Sequence, residues 1–133
     1  MRQLLLAEAT YRRLQKDLDS LPGLDFVTLS ADGEVCLNGN VTVPDDLNLS
    51  ILCLDTDLFQ TGQFDFVDKL ISQVGRFEFV QTVVAGMDHP FFRGVAEKAE
   101  VFCNSDAQAP AIAEFVVASV LNRWQRFDIR SDR

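Results

Sequence analysis

The sequence predicts an α/β domain built around a mainly parallel sheet. Short apolar runs bounded by turn residues alternate with segments of helical periodicity along the whole chain. The final segment, opened by Pro110, keeps helical spacing over the longest run of all. At 133 residues and 47% apolar content the chain has enough apolar surface for one real core.

The elements follow in order. "RQLLLAE" reads as a short buried strand, after which Thr10 is placed to N-cap a helix with Tyr11, Leu14, Leu18 and Leu21 on one face. Pro22-Gly23 ends that helix and "DFVTLS" supplies a second strand. "EVCLNGNVTVP" alternates on both sides of Asn38-Gly39, a strong hairpin signal, although a polar excursion loop has the same appearance. "LSILCLD" is a third buried strand. Phe66 or Val67, Leu70, Ile71 and Val74 then form the stripe of a second helix stopped at Gly75. "FEFVQTVVA" is a fourth strand, "PFFRGVAEKA" a short helix, and "EVFCN" a fifth strand. A long helix is expected from 110 to about 127.

Composition excludes several classes. Twenty acidic against 12 basic residues give a formal charge of −8, with no basic cluster, so neither nucleic acid nor an anionic membrane is an expected partner. The four apolar residues at 4–7 are too few for a secretory segment, and nothing approaches a membrane span. Cys36, Cys53 and Cys103 are odd in number and widely spaced. Buried free thiols in a reducing cytoplasm fit them better than a disulfide framework or a zinc knuckle.

In the last helix Ile112, Phe115, Val116, Val117, Val120, Leu121, Trp124 and Phe127 cover more than half the circumference. A helix lying on one sheet needs a single apolar stripe. The excess implies a second surface to cover, in another domain or another subunit, rather than burial on both sides within one small domain.

Motifs for catalysis are sparse. "ILCLDTDLF" delivers Asp55 and Asp57 two residues apart, like the nucleophile strand of haloacid dehalogenase-like phosphatases. That family expects Thr two residues after the second Asp, where Phe59 stands, so a capping role for the pair is the better reading. Asp45-Asp46 after Pro44 reads as a solvated turn. The seven glycines include no pair two apart, which removes both the dinucleotide and the phosphate-loop fingerprints. No serine lies in a nucleophile-elbow context. His89, the single histidine, reads as a first-turn helix residue beside an N-cap Asp88 rather than as a catalytic base.

Two segments together, "FVQTVVAGMDHPFF" and "NSDAQAPAIAEFVVASVL", resemble the N-terminal part of the D-isomer-specific 2-hydroxyacid dehydrogenases. "LLLAEAT", "LSILCLDTDLF" and "RFEFVQT" agree with that order, and 33–44 matches least. The resemblance implies a flavodoxin-like, three-layer substrate domain over 1–109, with a five-stranded parallel sheet. It implies that 110–133 is a helix crossing into a Rossmann domain that binds NAD or NADP.

It further implies that backbone N–H groups at Ala85 and Gly86 hold the carboxylate of a small 2-oxo or 2-hydroxy acid, with Met87 shaping the pocket. Gly suits that role because it lets an anion approach the amides at a strand's carboxyl end. The family's catalytic Arg, Glu and His, and its cofactor loop, match nothing before Arg133. The chain is therefore expected to be a cytoplasmic fragment, with no catalytic residue, no metal site and no bound cofactor of its own. Val116, Val117, Val120, Leu121 and Trp124 are the expected interface, in a homodimer through the last helix. The alternative from another class is a stand-alone flavodoxin-like domain that dimerises through the same helix.

Overall fold

The structure, a computed structural model, describes residues 1–60, 64–84, 86, 88–105 and 109–125. The elements run β1 (Arg2–Ala7), α1 (Glu8–Leu18), β2 (Leu24–Leu29), β3 (Val35–Leu37), β4 (Asn40–Val41), a 3-10 turn (Pro44–Asp46), β5 (Leu49–Leu54), α2 (Thr56–Gln60), α3 (Phe64–Gln73), β6 (Phe77–Thr82), α4 (Pro90–Lys98), β7 (Ala99–Cys103) and α5 (Ala109–Gln125). The strands form one sheet in the order β4-β3-β2-β1-β5-β6-β7.

The sheet is mixed and seven-stranded, which corrects the expected five-stranded, mainly parallel one. β2, β1, β5, β6 and β7 are mutually parallel. β3 and β4 extend them antiparallel on the β2 edge. The cause is local. Asn38 and Gly39 both adopt positive φ, 49° and 81°, as a two-residue hairpin turn of the primed kind requires. The Asn38 side chain then fixes the hairpin to β2: its Oδ1 accepts the Phe26 N–H at 2.9 Å and its Nδ2 donates to Asp25 Oδ1 at 2.9 Å. Alternation brings Val35 opposite Leu29 and Leu37 opposite Val27, so an apolar edge pair joins the core instead of a solvated loop.

The two faces of the sheet are covered unequally. Leu5, Val27, Leu52, Leu54 and Val80 share one core cluster with Leu58 of α2, Val67, Leu70 and Ile71 of α3, and Phe91, Phe92 and Val95 of α4. Burial of each such side chain contributes about 1.5–3 kcal/mol. α1 lies on the other face, where Leu6 and Phe26 are buried and Tyr11 stacks at a tilt on Phe26 with ring centroids 5.3 Å apart. The right-handed crossovers from β1 back to β2 and from β5 on to β6 run in opposite directions, which sends their helices to opposite faces.

Helix termini show where tertiary contacts overrule local reading. α1 starts directly after β1, with Ala7 at the cap position and no capping side chain of its own. Thr10, the expected cap, instead lies buried inside the first turn. The Leu14 and Leu21 positions of the expected apolar face are exposed. At the other end of the fold Lys98 closes α3: its Nζ donates to the Ile71, Ser72 and Val74 carbonyls at 2.9, 3.3 and 3.0 Å. Carbonyls at a helix end lack full intrahelical pairing, Ile71 here also accepting the Val74 N–H at 3.1 Å, and a cation suits that end of the dipole.

Every residue from 109 to 124 is exposed. The described helix ends at Gln125, and residues 126–133, into which the expected helix continued, lie outside the described residues. Among the described residues, no side chain of α5 from 109 to 124 is buried, on one side or on two.

Candidate functional site

In a sheet of this kind ligands bind beyond the carboxyl ends of the parallel strands, at the point where successive crossovers part to opposite faces. Here that point lies between β1 and β5. It is filled by the chain's own groups. Asp55, buried just after β5, accepts the Ala7 N–H on Oδ2 at 3.3 Å and the Leu58 N–H on Oδ1 at 2.9 Å. Asp57 Oδ2 accepts from the Thr10 hydroxyl at 2.9 Å and from Arg13 at 3.1 Å, and Arg13 also donates to Thr10 Oγ1 at 3.1 Å. Asp55 thus caps α2, and Asp57 ties α1 to α2, which is the structural use of the pair. Among the described residues no group of three or more His, Cys, Asp or Glu is arranged to hold a metal ion.

The described residues at the β1–α1 junction do not form a seat for a dinucleotide's diphosphate. The helix after β1, where a dinucleotide fold seats its diphosphate, opens without a glycine loop, and a carboxylate of the chain already occupies the Ala7 N–H. The three glycines with positive φ among the described residues, Gly23, Gly33 and Gly39, lie ahead of β2 and in the turns after it.

The end of β6 is different. Thr82 is fully buried, and its hydroxyl accepts the Val84 N–H at 3.3 Å. The Val83 N–H bonds Leu54 and the Ser105 N–H bonds Val84, which lash this loop to β5 and to the end of β7. The next described residue, Gly86, is exposed, and a Cβ built on it meets nothing within 4 Å. Open access distinguishes the position. Ala85 and Met87 lie outside the described residues.

His89 is itself the N-cap of α4, a correction to the expected Asp88. Its Nδ1 accepts the Phe91 N–H at 3.2 Å, and its ring packs edge-on to Phe92. An extended His beside Pro90 at N1 can use a ring nitrogen as a capping acceptor, a role that local patterning assigns to Asp first. An open groove of about 370 Å³ runs between α3 and α4, bordered by Asp68, Ser72, His89 and Lys98. His89 Nδ1 and Lys98 already bond backbone there, and the groove lies between two helices rather than at the strand ends.

The expected interface residues Val116, Val117, Val120, Leu121 and Trp124 are 47–80% exposed. The three cysteines are free but half-buried, not fully buried as expected. Burial, and secondarily the Asp55 charge, pushes the Cys53 thiol up to about 11. Arg13 escaped sequence reading. Its i,i+3 relation to Thr10 was visible, but Asp57, 44 residues away, was not.

No protein-family model matches the chain, and neither a curated protein nor a solved structure matches it. Among the described residues no helix is long and apolar enough to cross a membrane.

Proposed function

We propose that this chain is the N-terminal, substrate-binding part of an NAD(P)-dependent D-2-hydroxyacid dehydrogenase, which interconverts a 2-oxo acid and a D-2-hydroxy acid. Residues 1–109 form its flavodoxin-like substrate domain, and 110–133 lead across to a cofactor domain. The five parallel strands, taken alone, run in the order 2-1-3-4-5, which supports a flavodoxin-like frame. The observation that carries the reading is Gly86, exposed beyond β6 with open space where a side chain would stand. A small carboxylate reaches backbone amides at such a place. Hydride transfer needs a positioned nicotinamide and a general acid/base at the carbonyl, and the parent supplies both from residues beyond Arg133. The three free cysteines favour a cytoplasmic setting.

The full exposure of α5 favours a second reading, a stand-alone flavodoxin-like domain that associates through this helix and has no enzymatic activity. Reading the coding DNA past Arg133 separates the two. A Gly-x-Gly-x-x-Gly within a few tens of codons supports the dehydrogenase. A stop codon at that point supports the interaction domain.

A further inference from the structure

Two apolar surfaces of this fold are incompletely covered among the described residues, and one chain carries both. The first is the sheet face opposite α2, α3 and α4. Parallel register sets Ile51, Phe79 and Val101 in one row across β5, β6 and β7, and Cys53, Gln81 and Cys103 in the next. None is charged. Their strand neighbours Leu52, Leu54 and Val80 point to the opposite face and are fully buried, whereas none of these six is, and Val101 is 49% exposed. Nearer the hairpin edge the same face is closed by α1, which packs on β1 and β2 and buries Leu6 and Phe26.

The second surface is α5. Glu114 and Arg123 are its only charged residues. Val116, Val120 and Trp124 follow one another at i,i+4, with Val117 and Leu121 beside them, so a neutral stripe runs along the helix.

We propose that α5 of one copy lies across the β5–β6–β7 face of a second copy, and reciprocally, closing a two-fold dimer. A helix seats on a sheet by one apolar stripe, and both surfaces here are uncharged in a molecule of net charge −8, so contact is confined to the patch that does not repel itself. A foreign partner would need to bring both a helix and a sheet face to cover the two. A second copy already has them, and an isologous pair leaves neither uncovered. A stable interface buries about 1,200–2,000 Å², and two reciprocal contacts double what one helix on one sheet face can supply. The inference rests on packing alone and stands apart from the dehydrogenase reading.

Sedimentation velocity of the 133-residue chain at high micromolar concentration, combined with alkylation of Cys103, tests it. The unmodified chain is expected to sediment as a dimer with Cys103 protected. Val120→Asp alters a helix in which no side chain from 109 to 124 is buried, and Val101→Asp alters a half-exposed position. Both should give folded monomers, checked by circular dichroism, in which Cys103 reacts roughly ten-fold faster or more. Cys36, on the hairpin beyond β2, should react equally in all three. A monomer with reactive Cys103 overturns the proposal. So does a dimer that survives Val101→Asp, which means helix pairing alone, or a monomer with Cys103 protected, which means that the helix folds back on its own sheet.

Discussion

The carboxylate of Asp55 holds the backbone N–H of Ala7 at 3.3 Å, joining the carboxyl ends of β5 and β1 across 48 residues of sequence. The same side chain caps α2 through Leu58. One acidic group therefore sets both the start of α1 and the start of α2, at the place where an α/β sheet of this order would otherwise open a binding crevice.

Asp55→Ala should destabilise the domain by about 2–3 kcal/mol, because it leaves two amides in a buried setting without acceptors. Asp55→Asn keeps an acceptor and should cost less. Chemical denaturation measures both, and calorimetry with magnesium should show no saturable heat. A submillimolar magnesium site lost in Asp55→Asn would instead point to phosphatase chemistry.

Lys98→Met keeps the stem but removes three hydrogen bonds to the end of α3. A loss of about 1.5–3 kcal/mol is expected, the scale of a charged group's hydrogen bonds. Hydrogen exchange should rise first at the amides of the last turn of α3. Unchanged stability would show that water replaces the ammonium without cost.

Cys53 gives a pH dependence of defined sign. Its thiol is raised from 9.0 to about 11, by burial and then by Asp55. The unfolded chain therefore loses this proton before the folded one, and stability falls as pH rises through that window. Up to about 2 kcal/mol is at stake, given ~1.4 kcal/mol per unit and a thiol that retains some solvent contact. Tyr11, raised by its bond to Asp19, and Cys36, raised by burial, push the same way. Cys53→Ala should flatten the slope of unfolding free energy against pH between 9 and 11. An unaltered slope would place the dependence on the other two.

Much of this fold was legible because its strands are short apolar runs and its helices carry a regular stripe. Val67, Leu70 and Ile71 of α3 are buried as their spacing predicts. What was not legible depends on partners distant in sequence. Asn38-Gly39 announced a hairpin, but not that Asn38 would bond Phe26 and Asp25 and so join its two strands to the edge of the sheet. Thr10 looked like a cap because the acceptor of its hydroxyl, Asp57, could not be seen from α1. α2 is too short for a periodic signal and exists through the Asp55 cap. At the candidate site the sequence singled out Gly86 by its setting after an apolar strand. The openness around it is a property of the folded loop alone.

Steady-state kinetics on the product of the complete reading frame tests the role of Gly86 most directly. It should oxidise NADH or NADPH with glyoxylate, hydroxypyruvate or pyruvate, whereas the 133-residue chain should neither turn over nor bind the nucleotide. Gly86→Val meets nothing within 4 Å at its Cβ, so the fold should tolerate it while its methyls obstruct the carboxylate. The expected result is a KM for the 2-oxo acid raised about ten-fold or more, with the KM for the nucleotide unchanged. No oxidation by the complete product, or a Gly86→Val enzyme with unaltered KM for the acid, would contradict it.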